Sequence, residues 1–254
     1  ASLTSAGNGS FTAGAVNAAV NGYGSVKAAG STLTVASIGA TTPVGVADAT
    51  DGALISRGGI NAQTVSSLNG SVQANAITAQ TIKSGANATV EALTNINAQR
   101  IVISDGTVLA GGSLTAAGFD IRNGLLQAAG DITITGVVDA TNGGMDEGSI
   151  ISTGGNITLQ QNVSAVHGYM RAAGDITAQR DLTGSLNVTA GKTVKGNSID
   201  VDSIAATRVE ATGDLTISHW LNLPGKGADA SSVGGNLTLG GNLTLNTASA
   251  RVGD

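Results

Sequence analysis

The sequence predicts an all-β fold: a parallel β-helix (solenoid) of roughly 12–13 coils, each of about 20 residues, with variable turns. Three observations predict it. A short phrase recurs along the chain: a small residue, Gly, a polar residue, then aliphatic–Thr–aliphatic. Inside each copy, apolar and polar residues alternate with a period of two. The 254 residues include 38 Gly but only two Phe, two Tyr and one Trp, so the core must be a thin one built from Leu, Ile, Val and Ala.

In chain order, weaker copies read VKAAGSTLTVAS from Val26, LISRGGINAQTV from Leu54 and VLAGGSLTAAG from Val108. Stronger ones read LQAAGDITITG from Leu126, ISTGGNITLQQ from Ile151, MRAAGDITAQR from Met170, VEATGDLTISHW from Val209 and SVGGNLTLGGNLTLN from Ser232. LNVTAGKTVKG, from Leu186, keeps the turn and loses part of the strand. Residues 1–254 thus read as one elongated segment, a fragment of a longer chain. Its more irregular coils fall in 1–107 and its clearest repeats in 108–246. The turn glycines Gly112, Gly130, Gly155, Gly174, Gly191, Gly213 and Gly235 step by 18, 25, 19, 17, 22 and 22 residues. Fixed strands joined by loops of varying length account for such steps. Fixed two-helix repeats do not.

β-branched Thr, Val and Ile suit extended backbone, and Asn, Asp and Gly suit the turns before it. The alternation predicts that Ile132, Ile134, Ile157, Leu159, Leu215, Ile217, Leu237 and Leu239 point inward. Thr133, Thr158, Thr216 and Thr238 should point outward. Equivalent phrases recur in the same orientation, which favours parallel stacking over the hairpins of a barrel. Ladders of Asn and Thr could then hydrogen-bond along the stack.

The formal net charge is −5 and the isoelectric point about 4.8. That balance argues against a nucleic-acid partner, which needs a basic face. No apolar run approaches the ~18 residues of a membrane span, so no membrane insertion is expected. With no Cys, disulfides and thiolate metal sites are ruled out.

His219-Trp220 contains the only Trp. It reads as an aromatic platform for a sugar beside an imidazole, or as a side chain covering a widened coil before Leu223-Pro224-Gly225. Tyr169, near His167, marks a similar break. Asp200 and Asp202 alternate along one strand, which puts both carboxylates on one outer face with Arg208 and Glu210 close by. They are the best catalytic candidates, set against a plain solvated strand face. Asp139, Asp146 and Glu147 lie in a Gly-rich loop that offers oxygen ligands for Ca²⁺. Their spacing fits no standard calcium loop, and a protruding insertion is the simpler reading. Ala190-Gly191-Lys192-Thr193 resembles the end of a phosphate-binding loop, without its upstream glycine spacing or a following helix. Eight Asn-x-Ser/Thr triplets follow from the abundance of Asn and Thr. No catalytic, cofactor or metal residue is assigned. The candidate ligand contacts are Trp220, His219, Tyr169, Asp200 and Asp202.

The AAGDIT, TGGNIT and ATGDLT phrases, with the aromatic-poor and Cys-free composition, resemble the coils of filamentous haemagglutinin-type exoproteins of bacterial two-partner secretion. The resemblance is clearest from about Val108 to Asn246. It implies a right-handed β-helical shaft, exported through an outer-membrane transporter and displayed on or shed from a Gram-negative surface. Members serve as adhesins, biofilm-matrix scaffolds or toxin stalks. The Asn-Pro-Asn-Gly and Asn-Pro-Asn-Leu motifs of the family's secretion domain are absent, and Pro43 and Pro224 stand elsewhere. The expectation is therefore a non-enzymatic structural or adhesive shaft whose partners are a host-cell or matrix glycan or receptor and, during export, the transporter. A carbohydrate-binding module and a polysaccharide-degrading β-helix enzyme are the alternatives.

Overall fold

The computed structural model describes residues 2–6, 10–14, 24–136, 145–224, 228–232, 235–245 and 251–253. These residues form strands and turns, with no helix among them. The printed strand pairs are all parallel, and the fold is a β-solenoid of about 12 coils of about 18 residues. The chain divides into two compact units, Ala1–Ala128 and Ala129–Asp254.

In the first unit each coil gives one strand to each of two sheets. One sheet stacks Ser2–Ala6, Ser25–Ala29, Val44–Thr50, Ile60–Leu68, Ile77–Ser84, Ile96–Ser104 and Leu114–Arg122 in that order. The other stacks the intervening strands, from Ser10–Ala13 to Leu125–Ala128. Parallel pairing in register superimposes like residues. Val26, Ala47, Val65, Ile82, Ile101 and Phe119 form one inward column. Leu33, Leu54, Val72, Val90, Val108 and Leu126 form the facing one. All twelve are at most 3% exposed, so the core is a stack of aliphatics with a single Phe.

The spacing of this unit is strict where the sequence reading expected irregular coils. Asp51, Asn69, Asn87, Asp105 and Asn123, each 18 residues after the last, all adopt positive φ between 47° and 59°. Asn and Asp tolerate this left-handed conformation better than other side-chain-bearing residues. Glycine follows four of the five. The signal was therefore a column of Asx-Gly corners, a different corner from the one that the AAGDIT phrase marks.

In the second unit one sheet stacks Ile132–Ile134, Ile157–Leu159, Ile176–Ala178, Thr193–Gly196, Arg208–Ala211, Asp229–Ser232 and Arg251–Gly253. The other stacks Gly148–Ser152, Val163–Ala172, Leu182–Ala190, Ile199–Ala205 and Leu215–Leu223. Both Leu237–Leu239 and Asn242–Leu245 then pair with this last strand. Coil length varies here: Thr193 pairs with Arg208, 15 residues on, while Ile132 pairs with Ile157, 25 residues on.

The repeat phrase also changes side. The copies from Ile151, Met170 and Leu186 turn from the second of these sheets into the first, whereas those from Val209 and Ser232 turn from the first into the second. The step from Gly191 to Gly213 therefore spans one and a half coils, which corrects the period of about 20 to about 18. The two corners share one chemistry. Asp131 Oδ1 accepts the Asn156 N–H at 2.7 Å, and Asp214 Oδ1 accepts the Asn236 N–H at 2.8 Å. Ser152 Oγ donates to the Gly130 carbonyl at 2.7 Å, and Ser232 Oγ to that of Gly213 at 2.8 Å. A Gly-polar turn with a serine brace fits either edge of a two-sheet coil, so the phrase marks a corner without saying which.

Ile132, Ile134, Ile157, Leu159, Leu215 and Ile217 are buried as expected. Leu237 and Leu239 keep the inward phase but remain half-buried, because no further described strand stacks on theirs. Thr133, Thr158 and Thr216 are half-exposed and Thr238 is exposed, all on the outer face. Of the glycine-rich loop, Asp139 lies outside the described residues.

Candidate functional site

The candidate residues lie on successive strands of the second unit. Three register irregularities shape the surface, between Ala165 and His167, between Gly184 and Asn187, and between Val201 and Ser203. Bulges of this kind re-aim side chains. At the last, Ser218 and His219 oppose the single residue Asp202, since Val201 pairs with Ile217 and Ser203 with Trp220. The extra residue brings His219 Nδ1 to 3.5 Å from Asp202 Oδ1. The imidazole is 70% exposed and the carboxylate 28%, so the histidine leans over a half-buried acid.

Trp220 is 39% exposed, whereas Leu221 and Leu223 on either side of Asn222 are buried. The indole thus stays on the outer surface of the coil. Pairing places Tyr169, Asn187, Ser203, Trp220 and Asn242 in one column. Tyr169 and Trp220 share that column but stand three strand spacings apart, about 14 Å. Asn187 and Ser203 fill the interval, and Ser203 is buried with its hydroxyl bonded to Asn187 Oδ1. With its hydroxyl committed there, Ser203 does not complete a serine triad with His219 and Asp202.

Asp200 is exposed and Asp202 half-exposed, with buried Val201 between them. The shared outer face that alternation predicts is present. Arg208 and Glu210 do not join it. They sit on the other sheet, where Glu210 bridges Lys195 at 3.1 Å and Arg208 at 3.3 Å. The positive charge expected beside the two aspartates is therefore engaged elsewhere.

Asp146 lies 3.6 Å from His167 Nδ1, and Glu147 occupies a positive-φ corner. Among the described residues no group of three or more His, Cys, Asp or Glu side chains could hold a metal ion. In the Gly191-Lys192-Thr193 stretch, the Thr193 N–H donates to Asp175 Oδ1 at 3.0 Å. That amide belongs to the corner ladder and does not cradle a phosphate.

Two grooves lie away from these residues. One, of about 390 Å³ in the second unit, is lined by Thr153, Arg171, Thr189 and Gly191 among others. The other, of about 260 Å³ in the first unit, has a floor of Ala62, Ala79 and Ala98. Its two rims are Asn61, Thr78 and Asn97 on one side and Gln63, Gln80 and Gln99 on the other. The sequence reading missed it. Its signal was the recurrence of Ile60-Asn61-Ala62-Gln63, Ile77-Thr78-Ala79-Gln80 and Ile96-Asn97-Ala98-Gln99.

No family model matches the chain, and no curated protein or solved structure matches it.

Proposed function

We propose that this chain is a non-catalytic structural and adhesive shaft segment of a large secreted bacterial surface exoprotein, of the filamentous haemagglutinin type. It would be exported through a two-partner-secretion transporter and meet a host-cell or matrix glycan or receptor. The observation that carries the reading is the stacking within each unit. Coil after coil presents a strand to each of two sheets over aliphatic columns, and variation in length is confined to corners and bulges. Such a solenoid holds surface turns at fixed spacing, and many displayed copies multiply weak contacts.

The test is made in the source bacterium. External protease should digest the chain on intact cells, and deletion of its coding segment should lower adherence to epithelial cells or to matrix. Protection of the chain from external protease would overturn the surface assignment. Release of reducing sugar from acidic polysaccharide, lost in Asp202→Asn, would overturn the non-catalytic one.

A second reading, a sugar-contact surface, is favoured by the exposed Trp220 beside the His219–Asp202 pair. Glycan-array binding that falls in Trp220→Ala would support it, and an unchanged array profile would remove it.

A further inference from the structure

We propose that the groove between the Asn61/Thr78/Asn97 and Gln63/Gln80/Gln99 rims binds a neutral, hydroxyl-rich polysaccharide strand lying along the stack of coils. The residues belong to three successive coils. Pairing superimposes Asn61, Thr78 and Asn97, and likewise Ala62, Ala79 and Ala98. The three glutamines follow the alanines at the point where Cα pairing skips a residue, before Thr64, Thr81 and Arg100. All three glutamines are exposed, and the alanines beneath are at most 7% exposed.

The amides of this groove behave unlike polar side chains at the corners. Asn95 Oδ1 accepts the Ser113 N–H at 2.8 Å, and Asn123 Nδ2 donates to Asp105 Oδ1 at 2.7 Å. Asn156, Asp175 and Asp214 are likewise bonded to the neighbouring coil. The side chains of Asn61, Asn97, Gln63, Gln80 and Gln99 make no hydrogen bond among the described residues. They do not even bond to one another along the stack. Each amide offers two donors and an acceptor, so the rims present a dense, unsatisfied and uncharged set of both.

That set selects the ligand. An anionic glycan would find no cation in the lining. Arg100, next to Gln99, lies 3.9 Å from Asp120. A lipid or apolar helix would leave the amides unpaired, at a cost in desolvation. A neutral glycan can pair with both rims through its hydroxyls, and the methyl floor accepts the flat face of a ring. The coil spacing of about 4.8 Å is close to the length of one pyranose unit in an extended chain, so successive sugars meet successive amides. Pro43 lines the groove as well, at the register of Asn61 implied by the pairing of Val44 with Ala62. In the coil beyond Gln99 the equivalent residue is Ala117, where the amide rim stops. The proposal rests on the adhesive reading for its biological setting alone. A shaft that ignores neutral glycans would leave that reading standing.

Calorimetric titration of the whole chain with cellohexaose, laminarihexaose, mannohexaose and xylohexaose tests the groove, with the matching disaccharides, polygalacturonate, heparin and an extended Ser/Thr-rich peptide alongside. At least one neutral hexasaccharide should bind, about tenfold more tightly than its disaccharide. Its affinity should be unchanged in about 0.5 M NaCl, where surface charge is screened. Gln80→Ala should weaken it about fivefold, the loss of roughly one hydrogen bond. The Gln63/Gln80/Gln99→Ala triple variant should abolish it. All three side chains are exposed, so circular dichroism and melting should match the parent. If the triple variant fails to fold, Gln80→Ala decides alone. Thr158→Ala, on the other unit, should bind as the parent does. Failure of all four hexasaccharides, binding indifferent to Gln80→Ala, salt-sensitive binding of heparin or polygalacturonate alone, or preference for the peptide would each overturn the proposal.

Discussion

At the residue scale, the corners are held by side chains that bond across to the next coil. Asn156 Oδ1 accepts the Asp175 N–H at 2.8 Å, and Asp175 Oδ1 accepts the Thr193 N–H at 3.0 Å. The same role passes from an amide to a carboxylate in successive coils, so the acceptor oxygen matters and the charge does not. Asp175→Asn should therefore change stability by less than about 0.5 kcal/mol. Asp175→Ala should cost about 1 kcal/mol, the net worth of one partly exposed hydrogen bond. Urea unfolding of both variants checks the contrast, and equal losses would refute it. Glycines differ just as sharply. A Cβ on Gly155 would meet Asp131 N and Gly130 C, each at 2.7 Å, whereas one on Gly118 would meet nothing within 4 Å. Gly155→Ala should destabilise by about 1–3 kcal/mol. Gly118→Ala should be neutral or stabilising by about 0.5 kcal/mol. Thermal melts of the pair distinguish a close approach of backbone from a glycine that merely fits.

At the scale of the element, each strand is an alternation whose inner half is fixed by burial. Ile157, fully buried between Ile132 and Ile176, and Thr158, half-exposed beside it, are adjacent in sequence. Ile157→Ala should cost about 2–5 kcal/mol through lost transfer energy and the cavity left behind. Thr158→Ala should stay within about 0.5 kcal/mol. Denaturant midpoints read the difference. This alternation was legible in the sequence because a period of two survives any change of loop length. The phase of the corners was not, because the same Gly-polar turn closes either edge of the coil, as Asp131–Asn156 and Asp214–Asn236 show. The bulge that carries His219 to Asp202 was visible only as a crowded Ser218-His219-Trp220 stretch, since register is a property of two strands and not of one. The amide groove escaped notice for a related reason. Gln63, Gln80 and Gln99 are ordinary surface residues until pairing superimposes them.

At the scale of the whole molecule, stability is distributed along the stack. Each coil contacts its neighbours above and below, so free energy is close to a sum of coil and interface contributions. A local fault should then spread a coil or two and stop. Ile101 is the place to introduce one, because it is fully buried between Ile82 and Phe119 in the first unit. Ile101→Asn removes an aliphatic from the column and leaves a buried amide without partners, a further cost of about 1–3 kcal/mol. Hydrogen exchange followed by mass spectrometry should show lost protection in Ile77–Ser84, Ile96–Ser104 and Leu114–Arg122. Ser25–Ala29, four strands back in the same sheet, should keep its protection. A uniform fall through the first unit would mean that it opens all or none, and the additive picture would fail. The distinction bears on the shaft reading, because a stack that opens locally keeps its remaining coils and surface columns in place, while one that unfolds as a whole loses them together.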